Sequence, residues 1–298
     1  MTSQYPPVAI IMRSKDEYPH VERALQGLER QSYPTFALYN VDSGSSDGTW
    51  ETILAHNTHP DRLLQIPPSS YVPGRVLNLM VAMVREPIVV FLNADAVPLH
   101  EDWLERLIQP IVRGEADATM SRQVAREDAH FIVAYDLERA YKRENIEGKN
   151  EDFFSAVACA FRRQLWLENR FYVDGYSEDM AWAHACRQKG YRFLLCEDSV
   201  VEHSHNYTLA QLYRRGFIEG EADVLIYHNG PQLGQRILRW GKDLVRDFLY
   251  TLSKGRIWCI PYNVVYRSAF HWGYLKGRLK ASSTVQTPDF NVVEVPEH

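Results

Sequence analysis

Two stretches of this 298-residue chain carry side chains of the type and spacing that handle phosphate and metal. The first is Val89-Val90-Phe91-Leu92-Asn93-Ala94-Asp95-Ala96, an apolar run that stops abruptly on two alternate polar residues. At a strand end alternate side chains can point the same way, and a carboxylate there supplies oxygen to a divalent cation. An Asn-x-Asp strand end also serves as plain turn chemistry. The second stretch is Val41-Asp42-Ser43-Gly44-Ser45-Ser46-Asp47-Gly48-Thr49. Asp42 can accept from a base or a ribose, and the Ser/Gly loop admits close backbone approach. The same loop also reads as a strand-to-helix connection with Asp47 as N-cap.

Downstream, Glu178-Asp179 open a helical pattern that runs to Lys189 and closes on Gly190. A carboxylate at that place can take the proton of an attacking hydroxyl, and the helix dipole keeps it ionised. The dipole alone also favours acids there. His203 and His205 alternate on what reads as a strand end, where a neutral imidazole suits Mn²⁺ or the pair is structural. Arg75 offers a fork for phosphate, or is a surface arginine at a helix start. Trp182 can stack on an acceptor sugar or pack in the core.

These residues need elements to hold them. The first 120 residues alternate short apolar runs with helical periodicity, which predicts a parallel sheet with crossover helices. Strands are expected at Val8–Met12, Phe36–Val41, Arg62–Ile66, Ile88–Leu92 and Ala118–Ser121. Val21, Leu25 and Leu28 mark one helix, and Val76, Leu79, Met80 and Met83 another after the Pro73-Gly74 turn. A helix is expected around Asp128–Arg143, then a polar stretch Glu144–Asp152 and an apolar run Phe153–Phe161. A strand pair, Arg192–Leu195 and Ser199–His203, leads into helices to about Leu279 and a tail from Ala281. Ligands of such sheets sit at the carboxyl ends of the strands.

With 45% hydrophobic and 24% charged residues the chain is globular, not disordered. Cys159, Cys186, Cys196 and Cys259 show no paired spacing, so neither a disulfide framework nor a structural zinc is expected. The opening residues lack a secretory pattern, so a cytoplasmic place is expected. Net charge is −5, but residues 231–280 hold ten Lys/Arg against two acids. That segment carries +8 and leaves −13 elsewhere, and it is rich in Trp and Tyr. A basic aromatic tail on an acidic body reads as a membrane-surface element on the inner membrane, or as a solvated helical subdomain. No stretch reads as a span.

In their order, DSGSSDGT, PGRVLNL, FLNADA, FFSAVACAFRR, YSEDMAWAHACRQKGYR and VVEHSHNYT resemble glycosyltransferase family 2, within it the bacterial rhamnosyltransferase-like members. The resemblance covers about residues 8 to 230. It implies an α/β GT-A fold, Rossmann-like with a mostly parallel sheet, over 1–230, followed by a C-terminal helical appendage over 231–298. It implies inverting transfer of a sugar from a nucleoside-diphosphate donor to a hydroxyl of another molecule, with Mg²⁺ or Mn²⁺ as cofactor, and the basic tail adds the expectation of a saccharide or polyprenyl-linked acceptor in cell-surface polysaccharide assembly. Nucleic acid is not an expected partner. Position by position it implies that Asp42 contacts the nucleobase, that Arg75 and Asn78 lie near the diphosphate, and that Asp95 and His203 ligate the metal. Asp179 is the implied base, with Glu178 beside it, and Trp182 and His205 are candidates for the acceptor. Asn93 stands where the family has the first aspartate of its Asp-x-Asp, in the donor site. A dTDP-rhamnose donor is implied only by the branch. Two other classes compete: a non-catalytic scaffold that keeps the nucleotide fold, and a sugar-phosphate nucleotidyltransferase. The second should open with a Gly-rich phosphate loop, which Arg13-Ser14-Lys15-Asp16 is not.

Overall fold

The computed structural model describes residues 5–142, 153–172 and 177–284. The polar stretch expected at 144–152 and the tail beyond 284 lie outside them. The chain divides into two compact units, Met1–Glu127 with Asp136–Ser204, and Asp128–Tyr135 with His205–His298.

In the first unit, eight strands form one sheet: β1 (Val8–Ser14), β2 (Phe36–Asp42), β3 (Leu63–Gln65), β4 (Ile88–Asn93), β5 (Val97–Pro98), β6 (Ala118–Val124), β7 (Ala158–Arg162) and β8 (Phe193–Glu202). Their order is β3-β2-β1-β4-β7-β6-β8-β5. β1 pairs in parallel with β2 and β4, as do β2 with β3 and β6 with β8. β7 is antiparallel to both β4 and β6, and β5 to β8, so the sheet is mixed rather than wholly parallel. The strand lies in the apolar run 153–161, where continuous burial conceals its direction. The expected strand pair 192–203 is instead the single strand β8, with a register shift opposite Ser121/Arg122 where the sequence suggested a break.

Helices cover both faces. Along β1, Val8, Ile10 and Met12 join the core that includes Leu25 and Leu28 of α1 (His20–Glu29), Ile53 of α2 (Thr49–His56) and Leu107 of α4 (Trp103–Val112). The alternate residues Ala9 and Ile11 join the opposite core, with Leu77 and Met80 of α3 (Pro73–Met83), Leu165 of α6 (Arg163–Glu168) and Trp182 of α7 (Glu178–Gln188). This period of two explains why β1 and β4 are apolar throughout. α2 follows the loop that reads as a strand-to-helix connection, whereas α4 was not expected from the sequence. Pro110 interrupts the pattern of α4 one turn from its end.

α5 (Phe131–Ala140) has its first residues in the second unit. That unit otherwise consists of α8 (Leu209–Tyr227), α9 (Leu233–Ser253) and α10 (Ile260–Thr284). Thr208 and Gln211 form a capping box at the start of α8. Gly216 and Gly220 of α8 face Gly273 and Gly277 of α10 so closely that a Cβ on Gly220 would lie 2.1 Å from the Tyr274 carbonyl oxygen. Sequence placed a boundary at 230 from the shift in charge, whereas α8 packs with α10 and belongs to the second unit. No described helix is long and apolar enough to cross a membrane.

Candidate active site

The carboxyl ends of β1, β2 and β4 meet where the strand order reverses about β1, with Ser14 opposite Asp42 and Arg13 opposite Asn93. A cleft of about 340 Å³ opens there, lined by Arg13, Ser14, Lys15, Glu17, Ser43, Pro68, Tyr71 and Asn93. Asp42 sits at its base and is fully buried. Its carboxylate accepts from the Ser14 hydroxyl at 2.8 Å, the Ser45 amide at 2.8 Å and hydroxyl at 2.5 Å, and Gln65 Nε2 at 3.1 Å. Burial alone would raise its pKa, but the bonds from Ser45, Gln65 and Ser14 outweigh that and hold it below the usual carboxylate range. Asp42 therefore organises the loop that lines the cleft.

Arg13 is the centre of the cleft's charge. Its guanidinium donates to Asn93 Oδ1 at 3.0 Å and reaches Glu178 Oε1 at 3.4 Å, gathering β1, β4 and α7. Glu178 is 8% exposed. Burial, then the charge of Asp179, push its carboxyl up to about 7 against the pull of Arg13. Asp179 accepts from the Ala156 amide at 3.1 Å and the Met180 amide at 2.8 Å. Glu17 on the cleft wall is also pushed up, to about 8, by burial and by the charge of Asp95.

Asp95 lies in the Ala94-Asp95 turn that follows β4. It is 1% exposed and takes Arg126 Nη2 on Oδ2 at 3.0 Å, with His203 Nε2 at 3.2 Å from the same oxygen. Arg126 also donates to the carbonyls of Asp95 and Ser204, joining the ends of β4 and β8. Gln123 gives its amide N–H to the Ser155 hydroxyl, leaving its Oε1 to accept from His203 Nδ1 at 2.9 Å. That bond makes Nδ1 the donor and turns Nε2 toward Asp95, the orientation in which a neutral imidazole would offer its lone pair to a cation. A carboxylate oxygen and a neutral imidazole nitrogen, oriented in this way, fit a divalent cation such as Mg²⁺ or Mn²⁺. His205 opens the second unit two residues on.

Two sequence candidates lie elsewhere. Asn78, expected near the diphosphate, is a buried clasp: Nδ2 donates to the Phe171 carbonyl, and Oδ1 accepts from Trp166 Nε1 and the Phe171 amide. Trp182, considered for an acceptor, is 2% exposed, with its indole N–H on the Asn169 carbonyl and its ring against Phe171 and Phe161. No face of it is left for a sugar. Arg75 is exposed on the first turn of α3 and is not among the cleft-lining residues. Sequence reasoning missed Arg13, Glu17, Gln123 and Arg126, whose partners lie 31 to 165 residues away. No spacing signal marks such pairs.

Residues 9–171 match the model of Glycosyl transferase family 2. The chain belongs to that family. It is similar to the O-antigen chain rhamnosyltransferase RfbN of Salmonella typhimurium, 27% identical over 209 residues that cover 66% of each chain. It is similar also to the O-antigen chain rhamnosyltransferase WbaN of Salmonella anatum, 28% identical over 204 residues and 64% of each. The match thus spans just under two thirds of these relatives' length. Among solved structures, the mannosyltransferase PcManGT of Pyrobaculum calidifontis, held with GDP-Man and Mn²⁺, superposes at a TM-score of 0.63. It is 20% identical and covers 92% of this chain and 88% of its own. The glucosyl-3-phosphoglycerate synthase of Mycobacterium tuberculosis, with Mn²⁺, UDP and phosphoglyceric acid, gives 0.52 at 20% identity over 70% and 74%. The fold of this family 2 member is accordingly GT-A.

Proposed function

We propose that this family 2 member transfers a sugar, with rhamnose the first candidate, from a nucleoside diphosphate to a hydroxyl of a saccharide or lipid-linked saccharide. The reaction inverts the anomeric carbon and serves cell-surface polysaccharide assembly. The observation that carries this reading is the oriented Asp95–His203 pair beside a cationic cleft at the strand ends, in a chain of this family. Salmonella relatives named as O-antigen chain rhamnosyltransferases support the sugar and the pathway class.

In this account the nucleotide enters the cleft over the loop braced by Asp42, with Arg13 and Lys15 as fixed cations for the diphosphate. Asp95 and His203 would hold a divalent ion. When bound there, Mg²⁺ or Mn²⁺, the ions of the solved neighbours, would supply neutralisation of the charge on the leaving diphosphate. Asp179 accepts the acceptor's proton while that oxygen bonds to the anomeric carbon, and the bond to the diphosphate oxygen breaks with its electron pair going to the nucleotide. The Ala156 and Met180 amides hold that carboxylate in place, and Glu178, tied to Arg13, couples the base to the donor side. The first unit carries the reaction. The basic helical segment from 231 onward meets the cytoplasmic surface of the inner membrane, where a lipid-linked acceptor is presented.

Asp179→Asn tests the chemistry. Transfer, measured as nucleotide release dependent on acceptor, should fall by about 10²- to 10⁴-fold while calorimetric nucleotide binding stays as in the wild type. Wild-type binding without donor turnover on any acceptor would favour the scaffold.

A further inference from the structure

Helix α9 turns six large apolar side chains outward: Ile237, Leu238, Val245, Phe248, Leu249 and Leu252 are each 44–60% exposed. At 3.6 residues per turn they fall on one arc of about 120°, while Asp247 and Thr251 on the other side are buried. Directly after the helix, Ile257 and Trp258 are 59% and 68% exposed. Scattered apolar residues on a surface are ordinary, but a continuous stripe of this length marks an interaction site. A groove of about 960 Å³ runs along the stripe, lined by Leu238, Val245 and Leu249 together with Lys242 and Arg246.

The charge around the stripe has one sign. Arg239, Lys242, Lys254 and Arg256 are exposed. The two acids of residues 231–260, Asp243 and Asp247, are turned inward to Arg246, Arg267 and His271. An apolar arc edged on its open side by Lys242, Arg246 and Arg239, with the acids of residues 231–260 turned inward, is the arrangement of a helix that lies in a lipid interface.

We infer that α9 docks this face onto an anionic bilayer, lying in the plane of the interface with its apolar arc among the acyl chains and its cations among the headgroups. No described helix can cross a membrane, so the contact is with the surface. Charge complementarity selects this occupant over a second copy of the chain. A two-fold pairing through the stripe would set the same cationic flanks against one another. The inference rests on the lipid-linked acceptor reading for its purpose only.

Vesicle flotation tests it, with phosphatidylcholine alone or mixed with phosphatidylglycerol. The chain should float with the anionic vesicles and be released by salt. Leu238→Glu with Leu249→Glu should reduce flotation at least about tenfold. Lys242→Gln and Arg239→Gln should each reduce it about fivefold. Wild type that stays at the bottom with both vesicles overturns the inference, as does undiminished flotation of the Leu→Glu pair. A dimer in light scattering that the same pair disperses overturns it in favour of a second copy. Calorimetric binding of nucleoside diphosphate with Mn²⁺, on wild type and every variant, reports separately on the transferase reading: its loss in the wild type refutes that reading without touching the flotation result.

Discussion

Glu178 is a buried carboxyl wedged between a cation and a second acid, and its titration should be visible in the stability of the chain. Burial, with Asp179 next, raises its folded pKa to about 7 from 4.5. Between these values the folded state binds more protons than the unfolded, so stability is fully present below about pH 4.5 and is lost as pH rises to 7. The loss is on the order of 3 kcal/mol. Glu178→Gln should remove that dependence, so denaturation midpoints at pH 5 and pH 8 should converge in the variant relative to the wild type. At the same scale, Gln123 holds His203 by one hydrogen bond. Gln123→Leu should weaken Mn²⁺ affinity about 10- to 100-fold in a metal titration while the circular dichroism spectrum is unchanged. The sequence pointed to Asp95 and His203 because each stands at the end of an apolar run. Arg13, Gln123 and Arg126 were illegible because an arginine or glutamine in a strand, or just past its end, acquires its role only from the partner the fold delivers.

Helices α8 and α10 approach through glycine backbones, a packing that tolerates no side chain. A Cβ on Gly220 would stand 2.1 Å from the Tyr274 carbonyl oxygen, and one on Gly277 just as close to that of Phe217. Gly220→Ala should therefore destabilise the second unit by about 1–3 kcal/mol or more, seen as a lower melting temperature. Gly234→Ala on α9 meets nothing within 4 Å and serves as the control. At this scale the sequence reads best where one period dominates. β1, β2, β4 and the start of α7 are apolar runs or amphipathic stripes with clear stops, and they form within two residues of expectation. β7 and β8 read less well. Strand direction leaves no trace in a run buried on both faces, and β8 bulges opposite Ser121/Arg122, between the two strands expected at 192–195 and 199–203. Asn78 and Trp182 were misplaced for a related reason: a polar or aromatic side chain on a helix that faces the core looks like one that faces a ligand until the packing is known.

For the molecule as a whole, the first unit carries the candidate nucleotide and metal site and the second a cationic, apolar-striped helical segment, and the net charge of −5 hides both. The charge asymmetry was legible in composition, whereas the packing of α8 with α10 in one unit was not, because it runs through glycine contacts between residues more than 50 positions apart. The account turns on a metal-dependent nucleotide site built from Asp95 and His203. Calorimetric titration of UDP, GDP and dTDP, with and without Mn²⁺, on wild type and on Asp95→Ala, measures it most directly. The account predicts that one nucleotide binds the wild type with Mn²⁺, that binding weakens sharply without the ion, and that Asp95→Ala abolishes the difference. Binding that is equal with and without Mn²⁺, or that survives in Asp95→Ala, would contradict it.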